Sequence, residues 1–207
     1  MYSNIAPTKA NLIRAKSMLA FSIRGYELLD RKRNVLIRDM MGMMNRANQV
    51  QIEIQNRFEE ASEALKISNM LLGTQTIEEI SISIPKDEEF ELLSRSVMGV
   101  ELPMVRNVPQ PIDPSYGVFR TNSALDNAVE AYNDLRRKLY ELAEIETSIY
   151  KLAMEIKKTQ KRTNALDRIQ IPRYRALVKA ISETLEEKER EDFFRLKKVK
   201  KNASKKM

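Results

Sequence analysis

Apolar residues return at alternating three- and four-residue steps over most of the chain. From Thr8 to Leu72 no proline interrupts them. One register runs Leu12, Leu19, Tyr26, Arg33, Met40, Ala47, Ile54, Ala61, Ser68. A second runs Ala15, Ser22, Leu29, Leu36, Met43, Val50, Arg57, Ala64, Leu71. This is the coiled-coil period. Ser22, Arg33, Arg57 and Ser68 weaken the seam without ending it. At ~1.5 Å per residue the predicted helix is roughly 95 Å long. Thr8, next to Pro7, is placed to cap its first turn.

Residues 73–122 differ in kind. They contain Gly73, Pro85, Gly99, Pro103, Pro109, Pro111, Pro114 and Gly117. In EEISISIP, Ile80, Ile82 and Ile84 alternate with serines, the period of a half-buried strand. VMGVELPMV is a second candidate, reduced to a bulged or edge strand by Gly99 and Pro103. A small β-hairpin is expected, followed by the Pro-rich connector VPQPIDPSYG. From Ser123, a candidate cap, the helical stripe resumes. It runs through Leu125, Ala128, Tyr132, Leu135, Leu139, Leu142, Ile145, Ile149, Leu152 and Ile156, then less regularly through Leu166, Ile169, Leu177, Ile181 and Leu185.

The predicted fold is therefore dominated by α structure: a long antiparallel two-helix coiled coil with a small central β-hairpin insert. Its parts are an N-terminal helix over 8–72, the insert over 73–122, a C-terminal helix over 123–200, and a basic, disordered tail over 201–207. An antiparallel return puts both termini at one end and the insert at the other. Equal rise pairs residues whose numbers total roughly 190–195. That sets Gly25 beside Asn164–Leu166, with Gly25, Ala165 and Leu166 at a close helix approach. Pro172 falls inside the second helix, where it removes a backbone hydrogen bond and crowds the Arg168 carbonyl. A bend or a change of packing is expected there.

Composition narrows the chemistry. Among 207 residues there is no cysteine, histidine or tryptophan, and aromatic residues make up only 6%. Disulfides, thiolate metal sites and thiol nucleophiles are excluded, and the commonest general base is missing. No phosphate-cradling glycine motif is present. Paired carboxylates such as Glu59–Glu60 and Glu186–Glu187 read as solvated helix faces. Neither a cofactor nor a metal is called for, and the apolar runs are too short to cross a bilayer. The net charge of +7 admits an acidic partner or nucleic acid. However, the acidic stretch 183–192 directly precedes the basic close, and no aromatic platform accompanies it. Nucleic-acid binding is therefore disfavoured.

Three segments carry a resemblance. Residues 7–36, PTKANLIRAKSMLAFSIRGYELLDRKRNVL, resemble the opening of the D subunits of vacuolar and archaeal-type (V/A-type) rotary ATPases. The matching positions are Pro7, Thr8, Asn11, Leu12, Arg24, Gly25, Leu28, Leu29, Lys32, Arg33 and Leu36. KRTNALDRIQIPR is similar to a second family segment at Arg162, Asn164, Ala165, Leu166, Ile171 and Pro172, with Thr163 where valine is usual. EREDFFRLKKVKK resembles the family's close. The resemblance implies a non-catalytic rotor shaft in the central stalk. Such a shaft transmits torque between ATP hydrolysis or synthesis in the head and H+ or Na+ translocation in the membrane ring. The implied partners are the F subunit of the central stalk, the catalytic and nucleotide-binding head subunits, and a socket subunit above the ring, with no nucleic acid and no direct membrane insertion. The implied location is cytoplasmic, peripheral to the membrane. Arg162, Arg168, Arg173, Lys197 and Lys198 are then expected on a head-facing bearing surface, with Pro172 as a helix kink. The competing reading is a free-standing coiled-coil adaptor or scaffold.

Overall fold

The computed structural model describes residues 6–83, 90–107, 116–117 and 121–203. Its elements are α1 (Lys9–Leu72), α2 (Thr74–Ser83), β1 (Phe90–Val97), β2 (Val100–Asn107), α3 (Ser123–Ala165), a π-helical turn (Leu166–Gln170) and α4 (Ile171–Ala203). Two compact units share α1. One comprises residues up to Asn34 together with Lys157 onward; the other comprises Val35–Ile156. In each, a stretch of α1 packs against a returning helix.

Every buried side chain of α1 lies on one of the two predicted registers: Ala15, Ser22, Leu36, Ala47, Val50, Ala61 and Ser68. Most are small, and the returning helix adds Ala128, Ser148, Thr159 and Thr163. Small seam residues let backbones approach closely, so contact area comes from proximity rather than bulk. Three of the buried hydroxyls are accommodated within their own helices. Ser22 donates to the Met18 carbonyl at 2.8 Å, Ser68 to Ala64 at 3.0 Å and Thr163 to Thr159 at 2.9 Å. Each thereby avoids the cost of an unpaired buried donor.

Antiparallel pairing is visible in the cross-helix ion pairs. In the Val35–Ile156 unit, Lys138 reaches Glu53 at 2.7 Å, Arg57 reaches Asp134 at 3.9 Å and Arg46 reaches Glu141 at 2.6 Å. The first two total 191, within the predicted register. Thr8 caps α1, its hydroxyl accepting the Asn11 N–H at 3.3 Å. At the start of α3 the cap is Asn122 rather than Ser123: its side-chain oxygen accepts the Leu125 N–H at 3.1 Å.

The insert departs from expectation. Ile80 and Ile82 lie in helix α2, not a strand, and Ile84 falls outside the described residues. A lone alternating segment with no strand partner leaves a full row of backbone groups open. The helix satisfies them internally, and Ser81 and Ser83 bond back to Glu78 and Ile80 at 2.8 and 2.7 Å. Gly73, at φ 82°, ends α1 in the left-handed conformation suited to glycine. The hairpin is instead FELLSRSV–VELPMVRN, in register from Phe90 opposite Asn107 to Val97 opposite Val100. Met98 and Gly99, both at positive φ, form its two-residue turn. Gly99 thus makes the corner of the hairpin rather than interrupting a strand. The connector at 108–115 lies outside the described residues. At the C-terminus, Lys201 and Asn202 continue α4 as helix, while 204–207 are not described.

Nor does the hairpin sit beyond the helix ends. Val100 and Leu102 of β2 are buried with Leu36 and Leu152, flanked by Met40, Met43, Val97 and Ile156. Leu36 lies about 54 Å back along α1 from Leu72. The Val105 N–H donates to Glu144 Oε2 at 2.9 Å, pinning the inner strand to α3. The outer strand stays exposed, as Leu92 at 66% shows.

Two consequences follow for this unit. Leu102 is 3% exposed, so Leu102→Ala costs about 2–4 kcal/mol. Urea titration reads that loss, and amide exchange in the hairpin accelerates. Glu141 gives an acid dependence. Burial alone raises its carboxyl's pKa, but hydrogen bonds and charge from Arg46 and Lys138 together hold it below the ordinary carboxylate value. A depressed folded-state pKa stabilises the fold above the unfolded value, and that gain is lost as pH falls through the folded one. Melting temperature should therefore fall on acidification, with a shallower slope in Glu141→Gln; identical slopes would refute the coupling.

Candidate functional site

The π-helical turn explains how α4 tolerates Pro172. Its closing bond runs from the Ile171 N–H to the Leu166 carbonyl, five residues back. Proline then falls in the first turn of α4, where a missing N–H costs least. The turn also shifts the seam. Buried positions step from Thr163 to Ile171, eight residues, and then to Ile181. An unbroken three-four pattern would have reached Gln170 instead. Five residues per hydrogen-bonded loop rather than four absorb the extra one, which returns Ile171 and Ile181 to the seam. Ile169, expected in the stripe, is turned outward and 62% exposed. Such π-turns are frequent at functional positions.

Opposite this turn, in the same unit, a methyl group at Gly25 would meet Leu166 Cδ1 at 3.8 Å. The structure brings these two residues together, but at ordinary van der Waals distance. Ala165 is exposed. A polar junction lies one step along. Arg33 donates to Gln160 Oε1 at 2.8 Å, Gln160 donates to Asn164 Oδ1 at 2.8 Å, and Arg33 pairs with Asp30. Arg33, an apparent flaw in the heptads, thus ties the helices together. Its interruption of the apolar register is the only signal of this in the sequence.

The expected bearing cations fall on two stretches of one helical path. Arg162, Arg168 and Arg173 surround the π-turn with exposed side chains. Lys197 and Lys198 lie farther out on α4, where every residue from Glu186 to Asn202 is exposed. Lys9 marks the start of α1 by pairing with Glu189 at 2.9 Å, and that contact raises the Lys9 pKa. Beyond it α4 carries Phe193, Phe194, Leu196 and Val199, each about two-thirds exposed. Four large apolar groups on an exposed, charged helix suit a contact surface better than solvent. These neighbours of Lys197 and Lys198 are not among the expected bearing residues, although the adjacent pair Phe193–Phe194 is visible in the sequence. No helix among the described residues is long and apolar enough to cross a membrane.

The family model for the ATP synthase D subunit matches residues 11–201, taking in both helical arms, the hairpin and the π-turn. This chain belongs to that family. The D subunit of the V-type ATP synthase of Thermotoga neapolitana is 40% identical over 197 residues, 95% of this chain and 97% of its own length. The D subunit of the A-type ATP synthase of Pyrococcus furiosus is 36% identical over 200 residues, covering 95% and 93%. That of Archaeoglobus fulgidus is 35% identical over 204 residues, covering 96% and 97%. Membership of the D-subunit family spans both units.

The Gly25 geometry yields a direct test. Glycine costs a helix interior about 0.5–1 kcal/mol relative to alanine. With 3.8 Å available, Gly25→Ala should raise stability by that amount in thermal melts. A loss of stability would mean that the helices approach more closely than this distance.

Proposed function

We propose that the chain is the central-stalk rotor subunit of a V/A-type ATPase or ATP synthase. It transmits torque between ATP turnover in the head and H+ or Na+ movement in the membrane ring, without chemistry of its own. The observation that carries this reading is the D-subunit family match over residues 11–201, continuous through both helical arms. Physical properties of the chain support it. A part that turns against successive head subunits needs stiffness and reversible contacts. Stiffness is favoured by α1, 64 residues without a break, and by helix continuity from α3 through the π-turn into α4. Reversibility is favoured by charged, exposed sides, because such contacts are easily exchanged and screened.

In this reading the head subunits meet Arg162, Arg168, Arg173, Lys197 and Lys198, with Phe193 and Phe194 seated at the end of α4. The F subunit binds along the side, where the exposed methionines Met41 and Met44 are adaptable apolar contacts. A socket subunit links the assembly to the ring. The protein works in the cytoplasm, peripheral to the membrane.

Charge reversal of Arg162, Arg168 and Arg173 to glutamate tests the bearing surface in the reconstituted complex. The ratio of ions moved to ATP hydrolysed should fall severalfold, while circular dichroism shows undiminished helix. An unchanged ratio removes these residues from the bearing.

A further inference from the structure

A cleft of about 470 Å³ opens between the hairpin and the helix pair. Its lining includes Arg38, Asp39 and Gly42 of α1, Arg95 of β1, and Glu144 and Ser148 of α3. Arg95 stands opposite Leu102 in the strand register. Cross-strand partners project from the same face, and Leu102 is buried against the helices, so Arg95 faces the cleft. Two carboxylates near the cleft are occupied: Glu141 by Arg46 and Lys138, and Glu144 by the Val105 N–H. Arg38 and Arg95 have no ion-pair partner among the described residues. Ser148 is only 4% exposed, lines the cleft, and has no hydrogen-bond partner among the described residues.

We propose that this cleft binds inorganic hydrogen phosphate. Two guanidinium forks and a hydroxyl donor line one cleft, a donor set that oxyanions favour. Asp39 then selects among oxyanions. Its carboxylate, without a partner among the described residues, accepts a hydrogen bond from the P–O–H of hydrogen phosphate. Sulfate carries no such proton at neutral pH and meets Asp39 as like charge. The bound anion links α1, β1 and α3, and so clasps the hairpin to the helix pair. The site goes beyond the rotary reading and does not rest on it.

Calorimetric titration of the full chain with inorganic phosphate tests the assignment. Saturable binding is expected, with sulfate at least tenfold weaker and hairpin amides exchanging more slowly in phosphate. Arg38→Ala with Arg95→Ala should weaken phosphate at least tenfold, and Asp39→Asn should narrow the gap to sulfate. Gly42 gives an independent block: it lines the cleft and a Cβ there meets nothing within 4 Å, so Gly42→Leu, with helix content checked by circular dichroism, should abolish binding in a folded protein. Absence of saturable binding up to about 10 mM, equal affinity for sulfate, or binding that survives Gly42→Leu would overturn the proposal. Tighter binding of glycerol phosphate than of inorganic phosphate would overturn the assignment to the free anion.

Discussion

Close approach of two helices along a seam of small residues is the constraint on which everything else depends. Ala15, Ser22, Ala47, Ala61 and Ser68 on α1, with Ala128, Ser148, Thr159 and Thr163 on the returning helices, are too small to fill a wide gap. They stabilise the pair only if the backbones come close, and then any error of phase is costly. The π-helical turn follows from this. An eight-residue step between buried positions cannot be threaded on a regular α-helix without turning the seam outward, so one wider turn takes up the excess. Pro172 is tolerated because it follows directly. The proline and the phase shift are two sides of one local adjustment.

The same constraint divides the charges. Between closely packed helices there is little room for ionised groups, so they gather at the margins. There Arg46, Glu53, Lys138 and Glu141 form an alternating cross-helix set, and Arg33 reaches Gln160. These contacts select the antiparallel register, because a slipped pairing would set like charges together. Individually such exposed pairs contribute at most about 1 kcal/mol. Specificity is their main effect.

The seam of α1 is legible in the sequence down to individual residues, because period carries that information. The returning helix is less so. Its apolar stripe passes through Leu139 and Ile169, which are exposed, while the buried positions Ser148, Thr159 and Thr163 are invisible to a hydrophobic pattern. A hydroxyl bonded to its own helix, as Thr163 is to the Thr159 carbonyl, behaves as a small packing group. The insert misleads for a related reason. Alternation in ISISI predicts a strand only if a partner exists, and nothing local says whether one does. FELLSRSV, with adjacent leucines, lacks clean alternation, yet it pairs because the Met98–Gly99 turn presents it to β2. Docking of the hairpin at Leu36 and Leu152 is a long-range choice made by Val100 and Leu102. The surface cations are visible at once, whereas the cleft is not, since its lining comes from three distant segments.

Whether this D subunit turns within a head while performing no chemistry is tested most directly by watching it move. The chain, carrying Ser96→Cys on the exposed β1 strand, is assembled with immobilised head subunits of its own organism, and a bead is attached at that cysteine. One chain per head is expected, with ATP-driven rotation in a single direction, paused at regular angles, and no ATPase in the chain alone. A bead that stays fixed while the head hydrolyses ATP, or a chain that dimerises and does not enter the head, would contradict the rotor assignment.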